Sequence, residues 1–403
     1  MPVDLTSIPE RAENRSPPSV RRWLVFLLAL LAGNGLITAW LWPAGMSTHI
    51  PLFWICFPGG AIVLWVVLVI VRSAIFLTPV FGNGGWNDTR ERDLALEIQR
   101  GQRSLVMRAQ AVHLPHVAAS GSLSGQLLIP GAIALPPVTG NGTSDGVHQA
   151  RFGDVSLPVA DRLKARFQAL LSDNRIQTVL RELPAQSPLT VALLTGQEES
   201  VPPEHQQMAA RIIGEITGSA FRLSFINSAG PEMLDRWLDE QDRMQSLLVL
   251  AVNLTETEAD GTGEAAVALL LQRDNSPVAA PVVSVHRPEQ TQPEQGMTYA
   301  LQQALLWGMT TPEDIQQIWM TGTGTKNKAD GLFSATGMRF PAAGQPCDID
   351  LRTGLTGCAS PWLAMAVAAE HLRVASPAQL LMSVDGDKGP PWFMVIRTPV
   401  ASV

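Results

Sequence analysis

The chain has 403 residues, of which 46% are hydrophobic and 16% are charged, and its formal net charge is −7. The apolar excess lies before about residue 82, and the remainder has the composition of a globular protein. The acidic balance, with no run of Lys or Arg longer than a pair, argues against nucleic acid as a partner.

Two apolar runs near the N-terminus, 23–42 and 52–72, predict a transmembrane hairpin that follows a tail at 1–22. Each run has about the length needed to cross ~30 Å of hydrocarbon, and Trp residues lie near the run ends as interfacial anchors do. The first run ends in bulky Trp-Leu-Trp-Pro, so we do not expect signal-peptide cleavage. Asn34 indicates either helix pairing with a partner or a tolerated polar residue, and Pro58-Gly59-Gly60 interrupts the second run.

Arginine is distributed unevenly around these spans. Four arginines precede the first span, none lies in the loop at 43–51, and five follow between residues 72 and 103. Because positive flanks stay in the cytoplasm, we expect both termini there, at a bacterial inner membrane. Cys56, Cys347 and Cys358 form no CxxC motif, which fits a reducing compartment. The alternative topology has one true span and an exported domain.

After a charged connector at 73–104, the sequence predicts an α/β domain over 105–403. Residues 104–160 are predicted to form strands and loops, including a run at 127–135. Beyond them, strands are predicted at 189–196, 222–228, 246–254, 264–273, 278–285, 315–322, 347–351, 379–384 and 392–397. Helices are predicted at 159–183, 203–217, 231–244, 296–309 and 360–374. This alternation predicts mainly parallel sheets in two similar halves, about 105–288 and 289–403, joined by an exposed connector, HRPEQTQPEQG.

Three stretches in this order resemble the thiolase-like condensing enzymes, in particular the β-ketoacyl synthases. They are SLLVLAVNL followed by GEAAVALLL (246–271), IWMTGTGTKNKAD (318–330) and TGLTGCASPWLAMAVAAEHL (353–372). The resemblance extends over about residues 105–400. It implies a thiolase-like layered fold of two similar halves, here preceded by the membrane hairpin. It also implies a homodimer, because condensing enzymes usually pair through a strand near the nucleophile.

The chemistry that the resemblance implies is missing at three positions. A condensing enzyme needs a thiolate at a strand-to-helix turn and two further polar groups, both His in the synthases. The corresponding turn reads SFINSAG, so that Asn227, Ser228 and Ala229 stand where the nucleophile is expected. The two His positions hold Thr321 and Leu355. We therefore expect a vestigial pocket with no catalytic residue, and Leu355 favours a dry one.

Other chemistry receives little support from the sequence. His113 and His116 are the one close histidine pair, but Pro115 lies between them and no acidic third ligand follows. Neither GxGxxG nor GxxxxGK[ST] occurs, and VDGDKG at 384–389 lacks the length and final Glu of an EF-hand loop. No metal and no cofactor are expected.

These observations favour a membrane-anchored, catalytically inactive adaptor or scaffold whose protein partner the sequence does not identify. One alternative is a membrane-associated acyl-processing enzyme that uses Ser228. A second is a protein that binds an acyl chain or lipid without turning it over. A third is an accessory inner-membrane adaptor of a bacterial secretion system.

The arginine distribution predicts where the C-terminus lies. A fluorescent protein fused after Val403 should fluoresce, and alkaline phosphatase fused at the same position should be inactive, because both termini are expected in the cytoplasm. Strong phosphatase activity together with a dark fluorescent fusion would instead support the exported topology.

Overall fold

A computed structural model gives the fold. It describes residues 3–13, 17–43, 45–117, 121–131, 133–138, 147–184, 186–196, 202–218, 221–226, 230–239, 246–273, 283–322, 330–331, 338–340, 343–372, 378–384 and 389–398. The chain divides into two compact units, a first unit that covers Asp4–Ile98 and a second that covers Gln99–Val403.

The first unit is helical. Its elements are a 3-10 turn at Leu5–Ser7, α1 at Val20–Leu41, α2 at Pro51–Trp54, a π-helical turn at Ile55–Gly59 and α3, which begins at Gly60 and ends at Gly101. The stretches Val20–Leu41 and Pro51–Gly101 are long and apolar enough to cross a membrane. The predicted interruption at Pro58-Gly59-Gly60 coincides with the π-helical turn. The connector at 73–104 is largely a continuation of α3, and its limits stay a prediction.

Asn34 joins the two candidate spans. Its side-chain Nδ2 donates to the carbonyl oxygens of Cys56, at 2.8 Å, and Phe57. Pro58 has no backbone N–H, and the wider π-helical turn around it changes the usual helical hydrogen bonding, so nearby carbonyls need other donors. Gly35 permits this close approach, since a Cβ there would lie 2.4 Å from the Phe57 ring. Asn34 thus pairs helices within the chain, and its expected pairing with a separate partner stays a prediction.

The second unit contains the remaining elements. Its α-helices are α4 (Leu123–Leu128), α5 (Val159–Ser172), α6 (Asn174–Glu182), α7 (Pro203–Thr217), α8 (Glu232–Asp239), α9 (Gly296–Trp307), α10 (Asp350–Thr353) and α11 (Ser360–Leu372). Its 3-10 turns are Pro312–Asp314 and Gly357–Ala359. Its strands are β1 (Ser104–His113), β2 (Pro137–Val138), β3 (Val147–His148), β4 (Pro188–Leu194), β5 (Arg222–Ile226), β6 (Ser246–Asn253), β7 (Ala265–Arg273), β8 (Val283–His286), β9 (Glu289–Gln290), β10 (Ile315–Thr321), β11 (Cys347–Asp348), β12 (Ala378–Val384) and β13 (Pro391–Arg397).

One large sheet contains two sets of five strands with the same order. The first set along the chain is β1, β4, β5, β6 and β7, and the second set is β8, β10, β11, β12 and β13. From one edge the sheet runs β11-β10-β12-β13-β8, and it continues as β1-β7-β6-β4-β5, with β9 paired to β13. We number the five strands of each set by their order along the chain. From the outer edge of the sheet inward, both sets then have the strand order 3-2-4-5-1. Strands β1 and β8, the first of each set, pair antiparallel and join the two sets. This matched order supports the expectation of two similar halves, while the limits 105–288 and 289–403 stay a prediction.

The sheet is mixed, so the prediction of mainly parallel strands is wrong. In the first set β4 runs parallel to β5 and β6, whereas β7 is antiparallel to both β6 and β1. In the second set β13 is likewise antiparallel to β12. The physical reason is the connection: β6 and β7 are joined by a loop without a crossover helix, and only a crossover brings the next strand back parallel.

Both faces of the sheet are covered. Alternate residues of β6 and β7 enter two separate hydrophobic clusters, one that includes α8 and α11 and one that includes α5, α6 and α7. Helix α9 covers the second set of strands on the same side of the sheet as α5, α6 and α7, and its residues form a third hydrophobic cluster. Strand β1 has a register shift between Met107 and Ala109, and so Met107 and Ala109 enter different clusters although both numbers are odd. The small side chains of α11 let this helix lie almost completely buried.

Three further predictions are corrected by local contacts. The run at 127–135 contains the end of α4 rather than a strand, and 347–351 is a strand only at Cys347–Asp348 before α10 begins. The predicted helix at 159–183 is two helices, because Asp173 caps the second by accepting from the Arg175 N–H at 2.9 Å.

The predicted connector between the halves is buried at its start. Arg287 is fully buried, forms an ion pair with Asp235 and donates to Asp239 at 2.7 Å. Glu289 accepts a hydrogen bond from Trp307 Nε1 at 2.9 Å. The polar composition at the start of this segment therefore reflects internal pairing, whereas Pro293 and Glu294, further along, are exposed.

A second buried ion pair connects three separate segments. Glu264 and Arg162 have side chains that are 0% and 1% exposed, and their closest nitrogen–oxygen distance is 2.6 Å. The same carboxylate accepts from the backbone N–H groups of Phe152, at 2.8 Å, and Thr255, at 2.9 Å. All three of these interactions use the carboxylate oxygens of Glu264 as acceptors.

Replacing this carboxylate by an amide should destabilise the fold strongly. Glu264→Gln removes the charged partner of the Arg162 Nη2 group and leaves only Asp154, 3.2 Å from Nε, as a counter-ion, and breaking a buried pair typically costs about 3–5 kcal/mol. Glu182→Gln is the matched control, because Glu182 is 60% exposed and lies 3.8 Å from Arg108, and it should change stability by less than about 1 kcal/mol. Urea denaturation of the full-length protein measures both, and equal midpoints would contradict the prediction.

Candidate functional site

The end of strand β10 meets a buried carboxyl group. Thr321 is fully buried and donates its hydroxyl to Asp350 Oδ1 at 3.0 Å. The next N–H, that of Gly322, donates to the other carboxyl oxygen. Gly322 has a φ of 100°, and a Cβ at this position would lie 2.1 Å from the Val384 carbonyl oxygen. Only glycine fits here, because both the backbone conformation and the space exclude a side chain.

The protonation of Asp350 is shifted by its surroundings. Burial raises the pKa of this carboxyl group to about 7, and the nearby Asp348 charge acts in the same direction. The hydrogen bonds from Gly322 and Thr321 oppose the shift by stabilising the carboxylate. Asp350 is therefore the group at this site that changes charge near neutral pH.

The turn after α10 is clamped against the loop between β6 and β7. The Leu355 N–H donates to the Gly261 carbonyl at 2.8 Å, and the Leu355 carbonyl accepts from the Gly263 N–H at 3.1 Å. A Cβ on Gly263 would lie 1.9 Å from the Thr353 carbonyl oxygen, and one on Gly354 would lie 2.6 Å from the Gly263 nitrogen. Both glycines are required by this close backbone contact. The Leu355 side chain is half-buried, so the dry enclosure expected for it is incomplete.

Cys358 stands just beyond this turn. Its Sγ accepts from the Gly196 N–H at 3.3 Å and lies 3.8 Å from the Val252 carbonyl oxygen, so it contacts the segments that follow β4 and end β6. The thiol is half-buried. The sequence suggested a small structural cysteine, and these contacts agree with that interpretation.

Two of the five predicted pocket residues, Thr321 and Leu355, lie within the described part of the chain. Thr321 and Leu355 lie on either side of α10: Thr321 binds Asp350 at its first residue, and Leu355 follows its last turn. The other three, Asn227, Ser228 and Ala229, lie outside the described residues. Their convergence with Thr321 and Leu355 stays a prediction.

The histidine pair has other surroundings. His116 Nε2 lies 2.9 Å from the Arg352 carbonyl oxygen, while His113 borders a cavity at the end of β1. Burial lowers the pKa of both rings. Across the part of the chain that the structure describes, no group of three or more His, Cys, Asp or Glu side chains could hold a metal ion.

Sequence reasoning missed Asp350. It lies in CDIDL, a segment that was predicted to be a strand, and nothing local marks its carboxyl group as buried. A weak signal was present: acidic residues alternate with apolar ones immediately before the Gly354-Leu355 turn. The partners that define its environment, Thr321 and Gly322, come 28 or more residues earlier.

Comparison with known proteins identifies the fold. No protein-family model and no curated protein matches the chain. Among solved structures, the ishigamide ketosynthase/chain length factor is 14% identical with a TM-score of 0.50, over 74% of this chain and 100% of its own. PfaC keto synthase–chain length factor is 11% identical with a TM-score of 0.51, over 74% of this chain and 43% of its own. Human mitochondrial 3-ketoacyl-CoA thiolase is 10% identical with a TM-score of 0.44, over 74% and 99%.

The second unit has a thiolase-like fold. The resemblance read from the three sequence stretches is confirmed at the level of the fold, and the two N-terminal apolar helices are candidates for a membrane anchor. At these identities the comparisons bear on the fold alone.

Asp350 should make stability fall as pH rises. The pKa of Asp350 is about 7 in the folded state and 3.8 in the unfolded state. Between pH 3.8 and pH 7 the folded state therefore keeps a proton that the unfolded state has released. Stability conferred by the protonated form is lost through this window, by on the order of 3–4 kcal/mol in total. Asp350→Asn should remove this loss, because its amide can serve both Gly322 and Thr321.

The measurement is urea denaturation of both proteins at pH 5 and pH 8, with Asp161→Asn as an exposed control. The wild type should lose stability relative to Asp350→Asn between the two pH values. A stability difference between wild type and Asp350→Asn that is the same at pH 5 and pH 8 would contradict the shifted pKa.

Proposed function

We propose that this chain is a membrane-anchored, catalytically inactive thiolase-like protein that serves as a protein-binding adaptor or scaffold. The observation that carries the proposal is the joint replacement of the condensing residues. Thr321 and Leu355 stand at the two positions where the resemblance places His, and SFINSAG contains no thiol. Residues of a catalytic unit act together, so losing them costs orders of magnitude in rate.

The contacts around these positions support a structural role. The Thr321 hydroxyl is engaged by Asp350, and the backbone of Leu355 is engaged on both sides by 261–263. An aliphatic side chain at 355 can neither accept nor donate a proton. We call Thr321, Asp350 and Leu355 the corner. Backbone packing can account for the shape of the corner without any reaction.

The proposed location follows from the two apolar helices and the arginine distribution. We infer a two-pass protein of a bacterial inner membrane with its thiolase-like unit in the cytoplasm. Its partners in this proposal are the membrane and one or more proteins. A second copy of the chain is one such protein, and nucleic acid is not expected as a partner. An accessory role in a bacterial secretion system is a more specific version of the same proposal.

One observation favours a second candidate, an acyl-processing enzyme. A carboxyl group whose pKa is near 7 is a common feature of catalytic acids and bases, and Asp350 has that property where α10 begins beside the end of β10. In this reading Ser228 would be the acyl acceptor, because it belongs to the turn where the nucleophile is expected.

Acyl transfer separates the two candidates. Full-length protein in detergent is incubated with an acyl-CoA and examined by intact-protein mass spectrometry, with Ser228→Ala as the control. The adaptor proposal expects no added acyl mass on either protein. Acylation of the wild type that Ser228→Ala abolishes would establish the enzyme and overturn the adaptor.

Partner capture tests the positive half of the proposal. The tagged full-length protein is cross-linked in native membranes, purified and compared with a chain that ends at Ile98. A soluble unit that binds a protein should capture at least one partner that the shorter chain does not. Identical cross-linked proteins from both chains would contradict an adaptor role for residues 99–403.

A further inference from the structure

A cavity of about 430 Å³ lies at the end of strand β1. Its walls come from β1, the start of α4, the loops before α5 and α6, and helix α11. The lining shares no residue with the corner formed by Thr321, Asp350 and Leu355. Its volume falls within the range of small-molecule sites in proteins, which have apolar walls and a few polar groups.

The apolar wall is formed mainly by aliphatic side chains and one aromatic ring. Val112 and Leu114 contribute from the end of β1, Leu123 from α4, and Ala366 from α11. Phe152 closes another side. The Arg166 guanidinium lies over this ring, 4.3 Å from its centroid, and this contact fixes the arginine at the cavity wall.

The acidic groups at the cavity already have donors. The Glu370 carboxylate accepts from the N–H groups of Leu123 and Ser124, both at 3.1 Å. Asp173 accepts from the Arg175 backbone N–H at 2.9 Å. These carboxylates cap the N-termini of α4 and α6, so part of their hydrogen-bond acceptor capacity is used within the fold.

The basic groups keep unused donors. Arg166 gives one amino group to Asp154 at 3.2 Å, but its Nε is buried and has no hydrogen-bond partner among the described residues. Arg175 is exposed at the rim. Arg166 and Arg175 thus both line a cavity of mixed polar and apolar character, and guanidinium groups are suited to binding a carboxylate.

Gln110 provides an independent indication of a ligand. Its side chain is 4% exposed and lines the cavity, and its Oε1 has no hydrogen-bond partner among the described residues. Buried acceptors without a donor are uncommon in folded proteins. A ligand hydroxyl or amide N–H would supply the missing donor.

We propose that this cavity binds a small organic acid, with its carboxylate at Arg166 and Arg175, its apolar body against Phe152, and a hydroxyl or N–H group at Gln110. The site would give the protein a ligand-binding activity separate from the thiolase-like corner. It does not depend on the adaptor role proposed above.

Phenyllactate, which has a carboxylate, a hydroxyl group and an aromatic body, is the probe. Its binding to full-length protein in amphipol is measured by isothermal calorimetry and compared with that of phenyllactamide and 3-phenylpropionate. The acid should bind at least about tenfold more tightly than the amide, because charge-assisted hydrogen bonds are lost in the amide. Since all three probes share the aromatic ring, the comparison also corrects for partition into the amphipol.

Two variants locate the binding. Arg175→Gln should weaken phenyllactate by about tenfold, whereas Arg211→Gln, an exposed arginine on α7, should leave binding unchanged. Gln110→Leu should remove the preference for phenyllactate over 3-phenylpropionate. Equal binding of acid and amide by the wild type, full binding by Arg175→Gln, or no saturable binding of any probe would overturn the proposal and indicate a cavity filled by water.

Discussion

The buried carboxylate of Glu264 organises the part of the thiolase-like unit on which the candidate site is built. It receives hydrogen bonds from Arg162 on α5, from the Phe152 backbone and from Thr255 in the loop after β6. The stretch that contains Phe152 and Arg162 is therefore joined to the β6–β7 loop, which lies about a hundred residues later. Its neighbour Gly263 is held against the turn at Leu355, and that turn follows the helix whose first residue is Asp350. The geometry at Thr321 is thus linked to a charge pair on the other side of the β6–β7 loop.

Three glycines fix the backbone shape around Thr321 and Leu355. At Gly263 and Gly322 a Cβ would lie about 2 Å from a carbonyl oxygen, and at Gly354 it would meet backbone nearly as closely. These requirements come from backbone packing and do not depend on which side chains point into the corner. The clamp at Leu355 is likewise made by its N–H and carbonyl groups. Because the clamp uses only backbone groups, the side chain at 355 does not determine whether the turn forms.

Sequence patterns predicted the strands of this fold well and their pairing poorly. Continuous apolar runs such as 246–254 gave strands within a residue or two, because burial on both faces selects such runs. Strand direction was wrong for β7 and β13, since composition does not show which edge a strand reaches after its loop. Asp350 and the buried Arg287 were missed for a related reason: each owes its burial to partners far along the chain. Asn34 illustrates the same limit, because its two alternatives could be separated only once Cys56 and Phe57 were seen beside it.

The electrostatics of the cavity at the end of β1 follow from how its acids are used elsewhere. Asp154 is shared between Arg162 and Arg166, at 3.2 Å from each, and is thereby coupled to the Glu264 cluster. Glu370, near the end of α11, caps α4, and Asp173 caps α6. Each of these carboxylates serves the packing of an element, and none is free to neutralise the guanidinium groups completely. The fold therefore places Arg166 and Arg175 beside apolar residues of the cavity, and among the described residues the Gln110 oxygen at the same place has no hydrogen-bond partner.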